Sequence, residues 1–263
     1  MSFWVLCLLC VVQGLSEFLP ISSSGHLLFV EQLFGIHEDV MLLNLFLHVA
    51  TLCAVVVVYR KIIWKILKKP FQPLTYKLLL STVITVVLAF TYKFFELDKY
   101  GFEIYGFCFI ATSIVLFVTY MFQKKAAVVP AQEISTKSAV IVGFVQGLAT
   151  FPGISRSGST ISSLILCGND ESKASEYSFL LSIPVILGGF VLELFDFVKE
   201  GGSGNALAGV SIPEYIFAFV LTFVVAIASL KLTLKLLKNN KFIYFAIYLF
   251  ALGLFVVGYN FIF

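Results

Sequence analysis

Residues 13–27 read QGLSEFLPISSSGHL and residues 146–160 read QGLATFPGISRSGST, so a polar loop occurs twice within otherwise apolar sequence. The copies are 133 positions apart and are identical at eight of fifteen positions without a gap. In a membrane, irregular polar backbone is tolerated only where it is buried in protein or lines a wet cavity. The duplicated loop therefore predicts one central site that is built from two halves of the chain.

The composition is typical of an integral membrane protein. Of the 263 residues, 60% are hydrophobic and only 13% are charged, and the mean hydropathy is +1.00. Few soluble folds of this length could bury so much apolar surface. The sequence therefore favours an all-α protein that spans a membrane and contacts membrane lipids. The net charge is only +3, and we expect no nucleic-acid partner.

Six apolar segments are long enough to cross a membrane as helices. They are residues 41–59, 78–95, 104–122, 175–197, 213–231 and 242–262. Residues 3–15 would rise only about 20 Å as a helix, which is short of the ~30 Å hydrocarbon core, and residues 138–150 repeat this arrangement. Each short segment leads through a polar loop into a second short helix, over residues 24–34 and 157–167. We therefore expect two re-entrant helical hairpins, over residues 3–34 and 138–167.

Basic residues cluster in the segments that connect the spans. With six spans these segments all lie on one side of the membrane, and the positive-inside rule makes that side cytoplasmic. Fourteen of the eighteen Lys and Arg residues are in this group: Arg60, Lys61, Lys65, Lys68, Lys69, Lys77, Lys124, Lys125, Lys137, Lys173, Lys231, Lys235, Lys238 and Lys241. The opposite loops carry the acidic residues Glu38, Asp39, Glu96, Asp98, Glu103 and Glu200. Both termini would then be external.

The orientation also decides how the two hairpins are related. Because three spans separate them, the first enters from outside and the second from inside, so the repeat is inverted. We expect one membrane domain over residues 1–263, with residues 1–122 as the first inverted repeat and residues 134–263 as the second. The tips of the hairpins should meet near the middle of the protein.

Ionisable side chains inside a membrane protein are costly, and by default they indicate function. Three of them lie in or beside the loops, namely Glu17, His26 and Arg156. The hydroxyl residues around them are Ser22, Ser23, Ser24, Ser155, Ser157, Ser159 and Thr160. We interpret this set as the candidate site.

Arg156 is the candidate phosphate ligand. A planar guanidinium makes bidentate bonds to phosphate, and Gly153 and Gly158 would let backbone amides approach an anion. The helix that follows offers unpaired N–H groups and the positive end of its dipole. The alternative is a buried arginine that Glu17 neutralises, with serines that only cap helices.

His26 and Glu17 are candidates for acid–base chemistry. His26 suits a general base, a phosphoryl acceptor or a proton donor to a leaving group. Glu17 lies one helical turn after Gln13 on the same face. This pair could hold a hydrated divalent cation, Mg²⁺ or Ca²⁺, shared with substrate phosphates, while Glu17 could instead orient His26 or polarise water.

Residues of the spans leave two interpretations open. His48 and Asn44 lie one turn apart on the first span, where they either line the site or form a hydrogen-bonded interior pair. Glu176, near the start of the fourth span, has the same ambiguity. His37 lies among polar residues, and we expect it to be solvated.

At the two loops the chain resembles the undecaprenyl-diphosphate phosphatase family, the bacitracin-resistance type of membrane phosphatase. That family carries E/Q-x-x-x-E, a Ser-rich Pro loop and Gly-His, which correspond here to residues 13–26. It also carries P-G-x-S-R-S-x-x-T, which corresponds to residues 152–160. Residues 176–184 and 245–248 are similar to the family as well, so the resemblance runs essentially end to end.

The resemblance implies six spans with two re-entrant hairpins in the bacterial inner membrane, and a site that opens to the external, periplasmic side. It implies hydrolysis of undecaprenyl diphosphate to the monophosphate, which recycles the lipid carrier of cell-wall polymers and confers bacitracin resistance. The central residues it implies are Glu17, Ser23, His26 and Arg156, and the phosphate-binding residues are Arg156, Ser22, Ser24, Ser155, Ser157, Gly158 and Thr160. Gln13 stands where many members have Glu, which argues against a two-carboxylate metal site.

We therefore expect a lipid diphosphate phosphatase whose partners are its polyprenyl substrate and membrane lipids. Ser23 or His26 would attack the terminal phosphorus, or His26 would activate water, and the sequence leaves these mechanisms open. A rival is a polyprenyl-phosphate flippase, since secondary transporters use inverted repeats with broken helices. A carrier, however, needs Arg156 but no nucleophile or base. A structural membrane subunit is disfavoured by the polar loops, and a homodimer is compatible with the sequence.

Overall fold

The computed structural model describes residues 1–36, 40–94, 103–125, 133–199 and 210–262. Within these ranges the chain forms eleven α-helices and no strand. The helices are α1 (Phe3–Ser16), α2 (Ser23–Leu33), α3 (Met41–Val58), α4 (Arg60–Lys68), α5 (Pro73–Phe94), α6 (Glu103–Lys125), α7 (Thr136–Leu148), α8 (Arg156–Leu166), α9 (Glu171–Lys199), α10 (Ile212–Lys238) and α11 (Phe242–Ile262).

The six predicted spans are confirmed as helices that are long and apolar enough to cross a membrane. They are α3, α5, α6, α9, α10 and α11. The largest difference in length concerns α10, which continues to Lys238 instead of ending at residue 231. Lys235 and Lys238 therefore lie within the helix, not in the segment after it as the sequence predicted. Long lysine side chains tolerate this position because the aliphatic stem packs while the ammonium group reaches water.

The sequence did not predict the short helix α4, because the basic residues of this segment are typical of a loop between two spans. Its polar side chains are exposed, whereas Ile62 and Ile63 pack against the buried core. Trp64 and Leu67 remain exposed. This division into one packed edge and one basic, partly aromatic surface is typical of a helix that lies along a membrane interface.

The four short helices next to the polar loops start and end within two residues of the predicted positions. α1 and α2 are joined by residues 17–22, and α7 and α8 by residues 149–155. α1 has 14 residues and α7 has 13. Each is therefore only about 20 Å long, because an α-helix rises 1.5 Å per residue.

Packing between distant helices fixes the positions of the two loops. α1 packs against α10, where Ser229 Oγ donates to the Leu15 carbonyl at 2.7 Å. α7 packs against α5, where Thr85 Oγ1 donates to the Gly143 carbonyl at 3.0 Å. Hydroxyl-to-carbonyl bonds of this kind join helices where lipid offers no competing water.

α6 and α11 approach each other most closely at a pair of glycines. A Cβ added to Gly106 would lie 2.9 Å from the Gly253 carbonyl oxygen, and one added to Gly253 would lie 2.7 Å from the Gly106 oxygen. Ser113 Oγ also donates to the Ala246 carbonyl at 2.7 Å. Small residues therefore permit backbone contact between these two helices.

Most of the acidic residues expected on the external loops lie outside the described residues. These are Glu38, Asp39, Glu96, Asp98 and Glu200, together with His37. Glu103 is the first residue of α6.

Candidate active site

The two polar loops are in contact, as their repetition predicted. Ser157 Oγ donates to the Leu19 carbonyl at 3.0 Å. A Cβ added to Gly25 would lie 3.2 Å from Gly153 Cα. Gly153 itself has a φ of 90° and no room for a side chain, since an added Cβ would lie 2.9 Å from Cys108 Cβ. Residues that are more than a hundred positions apart therefore share one site.

Glu17 lies at the centre of this contact, and its side chain is buried. Its Oε2 accepts hydrogen bonds from Ser23 Oγ at 2.7 Å and from Gln13 Nε2 at 3.0 Å. Its Oε1 accepts a hydrogen bond and forms an ion pair with Arg156 Nη2. His48 Nε2 lies 3.8 Å from Oε2. One carboxylate thus joins groups from both loops and from the first span.

Helix ends place these groups. Glu17 is the residue after the last turn of α1, where its N–H donates to the Gln13 carbonyl at 3.1 Å, so the two side chains share a face. Ser22 caps α2 by accepting from the Gly25 amide at 3.3 Å, and Ser155 caps α8 by accepting from the Gly158 amide at 3.0 Å. α2 and α8 therefore both begin at the site, as the serine caps predicted.

Backbone strain also marks this position. Ser22 has a φ of 70°, a region that residues with a Cβ rarely adopt. Strain of this kind clusters at functional sites, where the surrounding structure maintains it. Here it turns the chain from the first loop directly into the first residue of α2.

The electrostatics favour an anion. The positive ends of the α2 and α8 dipoles point to the same place, and the amides of the first turn of a helix have no partner within it. The guanidinium of Arg156 adds a full charge. Its Nη1 atom is buried and has no hydrogen-bond partner among the described residues. A buried donor that lacks an acceptor is costly, so an anionic ligand would complete the site.

His26 is oriented by residues other than Glu17. Its Nδ1–H donates to the Ser22 carbonyl at 2.7 Å, since a carbonyl can only accept. The neutral ring then accepts at Nε2 from the Tyr248 hydroxyl, also at 2.7 Å. The Tyr248 ring stacks on the imidazole at a centroid distance of 5.7 Å. The idea that Glu17 orients His26 is therefore wrong for this geometry.

His48 and Asn44 form a hydrogen-bonded pair and also line the candidate site, so both interpretations from the sequence hold. His48 Nδ1 donates to the Asn44 carbonyl at 2.8 Å, and Asn44 Nδ2 donates to Glu31 Oε1 at 2.9 Å. The same two side chains line a cavity of about 350 Å³ that also reaches Ser24. The pair is hydrogen-bonded and also borders the candidate site.

The hydroxyls of the second loop support the loop from within. Ser157 Oγ bonds to the first loop, as described above, and Ser155 Oγ caps α8. Thr160 Oγ1 bonds to the Arg156 carbonyl at 2.8 Å and to Ser178 Oγ at 2.6 Å. In this geometry these three residues shape the cradle more than they face its interior.

Glu176 forms an ion pair with Lys173 at 3.5 Å. None of its hydrogen bonds or ion pairs among the described residues involves the candidate site. Glu176 therefore does not line the candidate site. It lies beside Lys77 and Tyr177.

A divalent cation would find a partial set of ligands. The described residues contain no cluster of three or more His, Cys, Asp or Glu side chains suited to a metal. Glu17 offers a carboxylate, and Gln13 Oε1 is buried without a hydrogen-bond partner in that part of the chain. Two adjacent oxygen donors fit Mg²⁺ or Ca²⁺ only if the substrate phosphates supply further ligands.

Tyr248 is a site residue whose role the sequence did not predict. In the sequence it only ends the segment 245–248 that is similar to the family, and its contact with His26 joins positions 222 residues apart. No local sequence pattern predicts a contact between residues so far apart in the chain.

The chain is similar to known proteins over nearly its whole length. Residues 6–255 match the family described as "Bacitracin resistance protein BacA". The chain is 36% identical over 247 residues to a protein named undecaprenyl-diphosphatase from Carboxydothermus hydrogenoformans, covering 94% of this chain and 93% of the relative. It is 38% identical over 268 residues to one from Treponema denticola, covering 97% and 96%. A third, from Halothermothrix orenii, is 33% identical over 262 residues, covering 98% of each.

Proposed function

This chain belongs to the family of the bacitracin resistance protein BacA, and we propose that it hydrolyses undecaprenyl diphosphate to undecaprenyl phosphate and inorganic phosphate. It is a multi-pass membrane phosphatase that acts on a polyprenyl diphosphate lipid. The reaction returns the lipid carrier to cell-wall polymer synthesis, and such an enzyme confers resistance to bacitracin.

One observation carries this function. Arg156 Nη1, which has no hydrogen-bond partner in the part of the chain that the structure describes, lies beside two helix N-termini. A diphosphate has enough oxygens to bond this atom and the first-turn amides of α2 and α8 together. In the geometry described, Glu17 is the anion in this position. The substrate phosphates would replace Glu17 as the ion-pair partner of Arg156. The Glu17 carboxylate would then be available as a base.

Ser23 and Glu17 have the geometry of a nucleophile and its base. Ser23 Oγ donates to Glu17 Oε2 at 2.7 Å, within the range that proton transfer requires. We assign the attack to Ser23. Its Oγ forms a bond to the terminal phosphorus, its proton moves to Glu17, and the bond from that phosphorus to the bridging oxygen breaks. Undecaprenyl phosphate leaves with the electrons of that bond.

His26 would serve the second step, in which water hydrolyses the phosphoserine. Its Nδ1–H is fixed on the Ser22 carbonyl, so the lone pair on Nε2 is the basic position of the ring. Tyr248 holds that position until water replaces its hydroxyl. His26 would then take a proton from the attacking water, and Ser23 would be restored by the proton that Glu17 received.

A divalent cation would be held by Glu17, Gln13 and the substrate phosphates. When bound, it would neutralise the charge that develops on the transferring phosphoryl group. Gln13 would offer its amide oxygen where a second carboxylate is absent. Ser22 and Ser24 stand at the start of α2 and would add hydroxyl contacts to the phosphates.

We further propose that α1–α2 and α7–α8 are re-entrant hairpins related by an inverted repeat, over residues 1–122 and 134–263 of one membrane domain. An offset of 133 residues makes α5 the counterpart of α10, and α7 the counterpart of α1. The packing of α1 on α10 and of α7 on α5 supports this relation, because each hairpin contacts a span of the other repeat. The basic segments support a cytoplasmic side opposite the termini. The family resemblance implies that the site opens to the external side.

Phosphate release from undecaprenyl diphosphate tests this function. The purified protein in detergent should release phosphate, and EDTA should stop the release if a cation takes part. The flippase alternative predicts a folded protein that releases none in either condition. The Ser23–Glu17 pair favours hydrolysis over transport, since a carrier has no use for it.

A further inference from the structure

The cavity of about 350 Å³ beside the candidate site is lined by residues of α2, α3 and α9 together with Pro152 of the second loop. Two of its residues also touch the site. His48 Nε2 lies 3.8 Å from Glu17 Oε2, and Ser24 Oγ lies 3.5 Å from Ser22 Oγ. The cavity is therefore continuous with the place where a diphosphate would bind.

Its walls become apolar with distance from Glu17. Along α3 the lining residues run from His48 through Asn44 and Leu45 to Met41, a rise of about 10 Å. On α9 the wall contains Phe190. An occupant must therefore be polar where it meets the site and apolar beyond it. A lipid whose diphosphate occupies the site has this character, with its chain beginning at the bridging oxygen.

Gly189 leaves open space at the α9 wall of the cavity. No described atom lies within 4 Å of a Cβ built at this position, although the residue lines the cavity. Its neighbour Gly188 is equally unobstructed, but it is exposed and does not line the cavity. A larger side chain at Gly189 would therefore enter the cavity without striking the protein, while one at Gly188 would point into the surroundings.

We propose that this cavity binds the isoprene units nearest the diphosphate, and that Gly189 admits them between α3 and α9. This inference rests on the proposed function, because it takes a polyprenyl diphosphate as the ligand. A phospholipid acyl chain would fit the apolar walls, but it would bring no diphosphate to the adjoining site. Gly189 is thus a specificity-determining residue for a branched lipid chain.

The test compares Gly189→Leu with Gly188→Leu in phosphate release from undecaprenyl diphosphate. Gly189→Leu should raise KM by at least about tenfold, because one methylene in an apolar pocket already changes discrimination about tenfold. Gly188→Leu should leave KM within about twofold of wild type, since its side chain stays outside the cavity. Equal KM values for all three proteins, or equal increases in both variants, would overturn the proposal. Thermal unfolding of each variant establishes that it is folded.

A second measurement keeps the proposal testable if Gly189→Leu does not fold. Farnesyl diphosphate that carries a photoreactive diazirine on its first isoprene unit is irradiated with wild-type protein, and the labelled peptides are sequenced. Labels within residues 24–28, 41–48 or 186–190 are expected, since these segments line the cavity. Labels confined to other helices would refute the location of the chain. If the wild type releases no phosphate, the proposed function fails, whereas the labelling still reports on the cavity.

Discussion

The buried Glu17 and the partly buried Arg156 form an ion pair although 139 residues separate them in the chain. Each belongs to a different copy of the repeated loop, so neither copy makes the pair alone. A buried pair of this kind contributes little net stability, but removing one partner leaves an uncompensated charge. A role in stability therefore explains the pair less well than a role in the ligand-free site, where Glu17 pairs with Arg156 until a diphosphate replaces it.

Glu17→Gln tests the carboxylate as base. The amide keeps the shape of the side chain and can still contact Ser23, but it cannot accept the Ser23 proton. We expect kcat to fall by about 10²–10⁴-fold, the usual contribution of a general base. Glu214→Gln is the matched control, because Glu214 caps α10 at Ser211 and glutamine can serve in the same capping box. A Glu17→Gln protein with more than half the wild-type kcat would exclude this role.

Ser23 should carry phosphate during turnover. A single-turnover reaction with substrate labelled in the terminal phosphate is quenched in SDS at neutral pH, where phosphoserine and the acid-labile phosphohistidine both persist. It should yield a phosphopeptide that contains Ser23. Ser23→Ala should abolish both the label and phosphate release, while Ser24→Ala should retain the label. Label on His26 instead, or active enzyme that never becomes labelled, would contradict the assignment of Ser23 as nucleophile.

Tyr248→Phe isolates one hydrogen bond to His26. Phenylalanine keeps the ring stacked on the imidazole but removes the hydroxyl that donates to Nε2. Because a net hydrogen bond contributes about 0.5–1.5 kcal/mol, kcat should change by about two- to tenfold. The control is Tyr244→Phe on the same helix, whose side chain is exposed. Identical kcat values for the two variants would show that Tyr248 does not tune His26.

The contact between α6 and α11 predicts a stability effect. In Gly253→Ala the added Cβ meets the Gly106 oxygen at 2.7 Å and Ile110 Cγ1 at 2.7 Å, and overpacking of this kind costs about 1–3 kcal/mol. Gly258→Ala on the same helix has no described atom within 4 Å of the new Cβ. Thermal unfolding in detergent should therefore give a lower Tm for Gly253→Ala only. Equal Tm values would mean that the helices are not in close contact.

The sequence predicted the spans and the meeting of the loops because both depend on local patterns. Runs of apolar residues give the helices, and two similar polar breaks indicate a shared site. The helix α4 was missed because its basic residues look like a loop until Ile62 and Ile63 are seen to pack inward. The hydrogen bond from Tyr248 to His26 had no sequence signal, since tertiary packing alone brings them together.

The two glycines of α9 also show that tertiary packing decides features that the sequence does not predict. Gly188 and Gly189 are indistinguishable in sequence, yet only Gly189 lines the cavity beside the site. Their difference depends on which face of α9 is turned to α3. The sequence of α9 does not fix that rotation, because the helix is apolar on most of its faces and has only weak hydrophobic periodicity.

Arg156→Ala tests the central claim most directly. The measurement is kcat/KM for phosphate release from undecaprenyl diphosphate, compared with wild type and with Arg60→Ala, which changes the only other arginine of the sequence, an exposed residue. Loss of a preorganised charge donor should lower kcat/KM by at least about 10²-fold, whereas Arg60→Ala should match the wild type. A folded Arg156→Ala protein that hydrolyses the lipid as fast as wild type would contradict the account.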